Sequence, residues 1–358
     1  MQSYQVIGLM SGSSMDGVDL ACCEFSYKDS NWEYRIIAAE TIPYDEKWRV
    51  RLSQLYKQPI DLYAKTDAFY GRYLGILIKN FIQKHQIKPQ LVASHGHTIF
   101  HQPLAGFTAQ IGDGAAISAM CGLPVVNGFR NMDLAFGGQG APLVPVGDKF
   151  LFPKEEACLN LGGIANISFS KDGKVKAFDI SPCNIVMNRI ARWLGQSFDA
   201  EGRIAATGEI DPILLNELEQ LDFYQINKAK SLGREWINAE FWPIIKKYQD
   251  TSEEEKMATI AEHIALRIAA VLNDNNINRV LVSGGGAFNS NLIQLIQSKT
   301  KAQLVLPDEM TIHFKEALIF AFLGVLRIRN EENVWSEVTG GKTNHIGGAL
   351  WGNFKDII

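Results

Sequence analysis

The turn Gly12–Asp19 sits in the run VIGLMSGSSMDGVDL, which starts at Val6, and gathers Gly, Ser and Asp between two apolar segments. Turns of this composition leave backbone N–H groups open to a bulky anion, so the turn suits phosphate oxygens. Ser11, Ser13 and Ser14 add hydroxyl donors, while Asp16 and Asp19 supply hard oxygens for a cation or its waters. The competing reading is a tight hairpin turn that binds nothing. Asp179 stands where the run KVKAF gives way to SPCN. A carboxylate at a strand tip is suited to orient and deprotonate a hydroxyl or water; its alternative is to cap a helix that starts near Asn184. Glu316 is the acid at the head of a long apolar face, placed either to accept hydrogen bonds from a hydroxylated ligand or to sit in the first turn of a helix. Arg130 heads a glycine-rich loop and could grip an anion with both ends of its guanidinium. In SHGHTIFH, alternation along an extended segment puts His95 and His97 on one face, a spacing used by some metal hydrolases. No helical H-x-x-x-H and no second His pair supplies further ligands, so contacts to substrate or structural roles compete with metal binding.

Glycine turns recur at strand ends: SGSSMDG, LGGIAN, SGGGAFN and GGQGAP. Several of them in one α/β chain suggest a nucleotide whose phosphates are touched by hairpins from both halves. Two commoner motifs fail on spacing. Gly284 and Gly286 are followed by Asn289 where a dinucleotide fingerprint needs its third glycine. Gly341-Lys342-Thr343 lacks the first P-loop glycine, because Ser336 stands there, and no strand-to-helix passage surrounds it.

The elements that must position these residues alternate strand-like and helical periods, which points to an α/β architecture. WEYRIIAAETIPY reads as a third strand after the opening hairpin. Asp61–His85 places Leu62, Phe69, Tyr73, Leu77 and Phe81 at helical spacing. PQLVASHG and LPVVNGF read as strands, with GAAISAMCG a brief helix between them. The segment Arg130–Pro145 has too many Gly and Pro residues for regular structure and reads as a functional loop and an inter-domain boundary. EACLNLGGIANISFSKDGKVKAFDI then repeats the opening hairpin with a glycine turn, as a distant duplication would. A helix over Glu253–Leu272, strands in RVLVSGGG and AQLVLP, and an apolar helix from His313 to Arg329 follow. A length of 358 residues suits two domains. A net charge of −4 with no basic block argues against nucleic acid, and no apolar run is long enough to span a bilayer. Five cysteines without a C-x-x-C pair favour buried thiols in a reducing cytoplasm over a disulfide or zinc framework.

Taken together these segments resemble the anhydro-N-acetylmuramic acid kinase family nearly end to end. The resemblance is carried, in order, by GLMSGSSMDGVD, SHGHTIFHQP, VVNGFRNMDLAFGGQGAPLVP, LNLGGIANIS, FDISPCN, KSLGRE, SGGGAFN, EALIFAFLG and VTGG. It implies an α/β fold of the two-lobed actin-like/sugar-kinase (ribonuclease H-like) class with an active-site cleft between the lobes. Residues 1–128 would form the N-terminal lobe, with 340–358 returning to it, and 129–339 the C-terminal lobe. It further implies ATP and Mg²⁺, an amino-sugar substrate, a cytoplasmic role in recycling cell-wall sugars and a homodimer, with neither nucleic acid nor membrane as partner.

Carried onto this chain, the resemblance gives Gly12, Ser13, Ser14, Met15, Asp16, Gly17, Val18 and Asp19 to the ATP phosphates, with Asp16 holding the metal. Gly162 and Gly163 would form the opposing phosphate turn, and Gly284, Gly285 and Gly286 would lie near the adenosine. Asp179 would activate a water that opens the 1,6-anhydro bridge at C1, freeing O6 to take the γ-phosphoryl group. Thr98, Arg130 and Glu316 would contact substrate. The chain departs from the commonest family pattern at Ser13 for Thr, His97 for Gln, Gly128 for Asp, and in Ile180–Cys183 beside the base. Two readings of other classes stand beside the kinase: a nucleotide-switched actin-like protein without catalysis, and a metal hydrolase built on His95 and His97.

Overall fold

The computed structural model describes residues 3–12, 15–226, 230–355 and 357. Ser13 and Ser14 therefore lie outside the described residues. The chain divides into two compact units, Met1–Phe152 with Phe314–Ile358, and Pro153–His313.

In the first unit, β1 (Ser3–Ser11), β2 (Gly17–Lys28) and β3 (Asn31–Pro43) form an antiparallel meander. β4 (Leu91–Gln102) adds parallel to β1, and β6 (Val125–Asn127) adds parallel to β4; β5 (Phe107–Ile111) is a hairpin partner of β4. In the second unit, β7 (Ala157–Leu161), β8 (Ile164–Lys171) and β9 (Lys174–Pro182) form another antiparallel meander, extended in parallel by β10 (Arg279–Ser283) and β11 (Gln303–Val305). The sheet orders β3-β2-β1-β4-β6 and β9-β8-β7-β10-β11 correspond strand for strand, with β12 (Ala349–Trp351) an antiparallel edge on the first. The duplication expected from the two hairpins is thus present in topology, and the fold is of the α/β actin-like and sugar-kinase class.

The unit borders differ from the expected 128/129 division and return near 340. β6 and the Val144–Leu151 helix belong with the first sheet, so Arg130–Pro145 lies wholly inside the first unit. The return is earlier because the Glu309–Ile328 helix carries the chain back. That loop also holds more regular structure than its glycines suggest: Asn131–Ala135 makes a turn of helix, and Val144-Pro145 opens the next one, proline being tolerated in a first turn.

Central strands are buried on both faces, which explains their unbroken apolar runs. Ile7 and Leu9 of β1 pack with Tyr70, Leu74 and Ile78 of the Ile60–His85 helix. The buried stripe of that helix is Thr66, Tyr70, Leu74, Ile78 and Phe81, rotated from the expected one; Leu62 and Phe69 are exposed. The rotation follows from Gly71 and Gly75, which let the Gly114–Cys121 helix approach so closely that a Cβ on Gly71 would lie 2.6 Å from the Asp113 carbonyl. In the second unit, the Glu253–Asp274 helix starts at a Ser252/Glu255 capping box and packs its apolar face on the sheet. Four of the five thiols are buried and Cys121 is partly so; burial pushes the Cys22 and Cys183 thiols up to about 12, which keeps them unreactive.

Candidate active site

β1 runs into the glycine turn and β2 leaves it. Met15 has a φ of 58°, and its N–H donates to the Gly12 carbonyl at 3.3 Å, closing the turn. Gly17 pairs with Pro43, and a Cβ there would lie 2.4 Å from the Ile42 carbonyl oxygen, so no side chain fits. Val18 is fully buried and pairs with Ile42 of β3. Asp16 is exposed, while Asp19 Oδ1 accepts from Thr41 Oγ1 at 2.6 Å. Beneath the turn, Ser11 Oγ lies 2.6 Å from Tyr44 Oη and 2.8 Å from His97 Nδ1, and Tyr44 bonds on to Tyr70 in a short contact. Burial lowers His97 to about 4 and raises Tyr44 to about 12, so this chain of hydroxyls and imidazole is uncharged at neutral pH.

His95 and His97 do not share a face. Register slips between β1 and β4 from Leu9↔Ser94 to Ser11↔His97, a bulge at Gly96, whose φ is 75°. The extra residue turns His97 toward Tyr70 and His95 toward Phe320 of the Glu309–Ile328 helix. His95 Nδ1 donates to the Gly96 carbonyl at 3.0 Å, and its Nε2 accepts from Arg130 Nη2 at 2.8 Å and Nε at 3.1 Å. Both nitrogens are spent, one of them on a cation, so the paired-histidine metal site falls. Arg130 Nη1 donates to the Gly140 carbonyl at 2.6 Å. Asp133, fully buried, orders the same loop: Oδ2 accepts the Gly140 N–H and Oδ1 the Thr339 hydroxyl, each at 2.6 Å. Thr98 accepts from Gln110 Nε2 at 3.3 Å across the β4–β5 hairpin.

Glu316 is in the interior of its helix, which starts at Glu309, so the first-turn reading of this acid is excluded. Its side chain reaches solvent yet is crowded by protein. That crowding raises the carboxyl above its ordinary value, Asp19 adds to the rise, and Arg130 and Lys315 oppose it. Burial lowers the Arg130 guanidinium to about 10, with Glu316 holding it up, so the arginine stays charged.

In the second unit, the β7–β8 turn at Gly162–Gly163 and the turn after β10 at Gly284–Gly286 lie together. A Cβ on Gly284 would meet Asn160 Oδ1 at 2.5 Å, and one on Gly286 would meet Leu161 Cβ at 2.7 Å. Asn184 ties them by donating to the Leu161 carbonyl at 2.8 Å. Asp179 is in β9, half-buried, opposite Asn166, and the register slip between β8 and β9 leaves Ile180 as the bulged residue next to it. The Asn184–Trp193 helix begins from Cys183 without a side-chain cap, so Asp179 is not a helix cap. Its Oδ2 accepts the Leu232 N–H at 2.7 Å and the Ser231 hydroxyl at 3.2 Å, and its own N–H donates to the Lys230 carbonyl at 2.9 Å. Oδ1 has no hydrogen-bond partner among the described residues. Burial raises the Asp179 carboxyl, and the Leu232 and Ser231 bonds oppose that rise.

The sequence profile of the family described as "Anhydro-N-acetylmuramic acid kinase" matches residues 4–353. The chain belongs to that family. Relatives bearing the same name include one from Pseudomonas fluorescens, 33% identical over 97% of this chain and 99% of the relative, and one from Hydrogenovibrio crunogenus, 32% identical over 96% and 97%. Among solved structures, similar chains include component A of the (R)-2-hydroxyglutaryl-CoA dehydratase of Acidaminococcus fermentans, with a TM-score of 0.46, 13% identity, and 89% and 96% coverage. A ROK family glucokinase from Streptomyces griseus, solved with glucose and AMPPNP, gives 0.42 and 13%, with 89% and 98% coverage. Likenesses this loose bear on neither substrate nor mechanism. Membership in the anhydro-N-acetylmuramic acid kinase family makes the protein an ATP-dependent sugar kinase and removes the non-catalytic reading. Sequence reasoning missed several residues that hold the candidate site residues in each unit: Asp133 under the Arg130 loop in the first, and Asn184 at the glycine turns and Ser231 and Leu232 on Asp179 in the second. The last two lie in KSLGRE, a run that carried the resemblance without showing what it holds.

Proposed function

We propose that the protein opens the 1,6-anhydro ring of anhydro-N-acetylmuramic acid with water and phosphorylates O6, giving N-acetylmuramic acid 6-phosphate. The observation that carries this is the hold on Asp179. Two donors grip one carboxylate oxygen and leave the other to a water, while burial raises the group's basicity at neutral pH. An ordinary kinase base takes a proton from the acceptor hydroxyl; here O6 is bridged to C1 and has none. Asp179 therefore takes the proton of a water as its oxygen bonds to C1. The C1–O6 bond breaks, and O6 attacks the γ-phosphorus with ADP as the leaving group. Arg130, braced by His95 and Gly140, and Glu316 would orient the sugar, with Thr98 beside them. The Gly12–Asp19 and Gly162–Gly163 turns would hold phosphates with backbone N–H groups, and Gly284–Gly286 would lie by the adenosine.

Mg²⁺ fits the donor set: Asp16 and Asp19 offer carboxylate oxygens from one turn. Among the described residues no three His, Cys, Asp or Glu side chains converge into a cage, in keeping with an ion that keeps waters and binds substrate phosphates. Bound there, it would offset charge on the transferring phosphoryl group. Reaction in ¹⁸O-labelled water should place the label at C1 of a 6-phosphorylated product; an unlabelled C1 rules the mechanism out. We also place the protein in the cytoplasm as a homodimer. No helix among the described residues is long and apolar enough to cross a membrane, and light scattering on the purified protein tests the dimer.

A further inference from the structure

Behind the strand that carries Asp179 lies a buried chain of polar groups that the proposed reaction does not touch. His263, on the Glu253–Asp274 helix, has no solvent exposure. Its Nδ1 lies 2.5 Å from Glu219 Oε1 and its Nε2 lies 2.8 Å from Tyr224 Oη. Arg267, one helical turn on, donates from Nε to Glu219 Oε1 at 3.1 Å and from Nη2 to Oε2 in a short contact. Its guanidinium also lies 4.6 Å from the centre of the Tyr224 ring. Tyr224 Oη in turn is 3.4 Å from the hydroxyl of Ser181, a fully buried residue two places beyond Asp179 in β9.

One protonation pattern satisfies every member. Arg267 neutralises Glu219, so the carboxylate accepts a hydrogen bond from a neutral imidazole without taking its proton. His263 donates from Nδ1 and accepts the Tyr224 hydroxyl proton at Nε2, which leaves Tyr224 Oη as an acceptor for the Ser181 hydroxyl, shared with the Pro182 carbonyl at 3.0 Å. Burial agrees with this pattern: it lowers His263 to about 3 and raises the Tyr224 phenol well above its ordinary value. Each bond in the chain is therefore directional. Tyr224 cannot turn away without leaving a buried imidazole nitrogen unpaired.

Phe223, next to this tyrosine, meets Lys230, which with Ser231 and Leu232 lies against Asp179. Lys230 Nζ donates to the Phe223 carbonyl at 3.0 Å and lies 4.4 Å from the Phe223 ring centre. The Lys230 carbonyl accepts the Asp179 N–H, and the next two residues grip Oδ2. Tyr224 thus meets the base's surroundings on two sides: its hydroxyl reaches Ser181 on the strand, and its ring packs on Phe223 with Lys230 Nζ 5.8 Å from its centre.

We propose that Tyr224, locked by the Arg267–Glu219–His263 chain, is a positioning residue for Asp179. The inference rests on the reading of Asp179 as the base. Reacting groups tolerate little displacement, since a misplacement of about 1 Å can cost roughly 100-fold in rate.

The test is steady-state kinase kinetics on full-length Tyr224→Phe, Asp179→Asn, their combination, and Ser181→Ala, with folding checked by circular dichroism. Tyr224→Phe should lower kcat roughly 10-fold while KM for sugar and ATP stays within about twofold. The acidic limb of its kcat profile should move to higher pH, because the Ser231 and Leu232 bonds that favour the carboxylate loosen. Combined with Asp179→Asn it should cost nothing further, since Tyr224 acts only through that carboxylate. Ser181→Ala removes the strand-side link and leaves Tyr224–His263 intact; it should show the same directions with a smaller loss, and it carries the test if Tyr224→Phe does not fold. Unchanged kcat in a folded Tyr224→Phe enzyme overturns the inference. So does a loss with a stationary acidic limb that recurs at full size in the Asp179→Asn background, the signature of a general structural role. Full turnover by Asp179→Asn removes the base reading and this inference with it, whereas an inactive Asp179→Asn beside a normal Tyr224→Phe removes this inference alone.

Discussion

Gly8→Ala should damage both stability and the proposed sugar contact at Glu316, because Gly8 is where the Glu309–Ile328 helix rests on β1. A Cβ built there would lie 1.8 Å from the Ala317 carbonyl oxygen, 2.7 Å from its carbon and 3.0 Å from the Ala321 nitrogen. All three are backbone atoms, and β1 itself is held by β2 on one side and β4 on the other. An ordinary carbon–oxygen approach is about 3.3 Å, so strand or helix must yield by roughly 1.5 Å. Leu318, Phe320 and Phe322, each at most 1% exposed, would lose close packing as the helix lifts. Overpacking commonly costs about 1–3 kcal/mol, and a backbone-on-backbone clash belongs at the upper end, about 3 kcal/mol. Against a typical stability of about 5–15 kcal/mol that is a severe loss. Urea unfolding followed by circular dichroism reads it directly: with a slope of about 2–3 kcal/mol per M, the midpoint of the transition involving this unit should fall by about 1 M. Glu316 moves with Ala317, so KM for the sugar should rise in whatever fraction stays folded. A Gly8→Ala protein with a midpoint within about 0.2 M of wild type and an unchanged KM would refute the reasoning.

Arg130→Lys keeps the charge but cannot reach both His95 and Gly140, so sugar KM should rise by about tenfold, with ATP KM unmoved, in initial-rate assays. Asp133→Ala leaves the Gly140 N–H and the Thr339 hydroxyl without their buried acceptor and should destabilise the protein by about 3 kcal/mol in urea titrations. His97 is neutral in the fold down to about pH 4, whereas the unfolded chain takes up that proton below about pH 6.5. Stability must therefore fall as pH drops from about 6.5 toward 4, by up to roughly 3 kcal/mol from this group. His97→Gln should flatten that part of the melting-temperature profile; an unchanged slope would count against a buried neutral His97. Gly286→Ala forces a methyl against Leu161 and should raise KM for ATP while leaving that for the sugar alone, as initial rates at varied ATP would show.

Local signals proved legible where local physics decides. The doubled hairpins, the helix expected over Glu253–Leu272 and found over Glu253–Asp274, and the glycine turns all follow from short-range pattern and turn chemistry. The helix Ile60–His85 shows the limit: periodicity located it, but Gly71 and Gly75 chose which face is buried by admitting a neighbour. His95 and His97 show it more sharply. Alternation holds only in a regular strand, and the bulge at Gly96 exists because β4 must satisfy β1 and β5 at once; a Cβ on Gly96 would lie 2.4 Å from the Ile111 carbonyl.

Sequence by itself determined the family, the α/β class with two similar sheets, and Asp179 as the carboxylate worth testing. Those depend on residue order, and order survives without coordinates. Only the tertiary structure decided what grips Asp179. Ser231 and Leu232 lie 52 and 53 residues from it along the chain, and His263 is 39 residues from Tyr224. Contacts of that span arise when elements dock, and docking depends on packing and strand register that no short window of sequence contains.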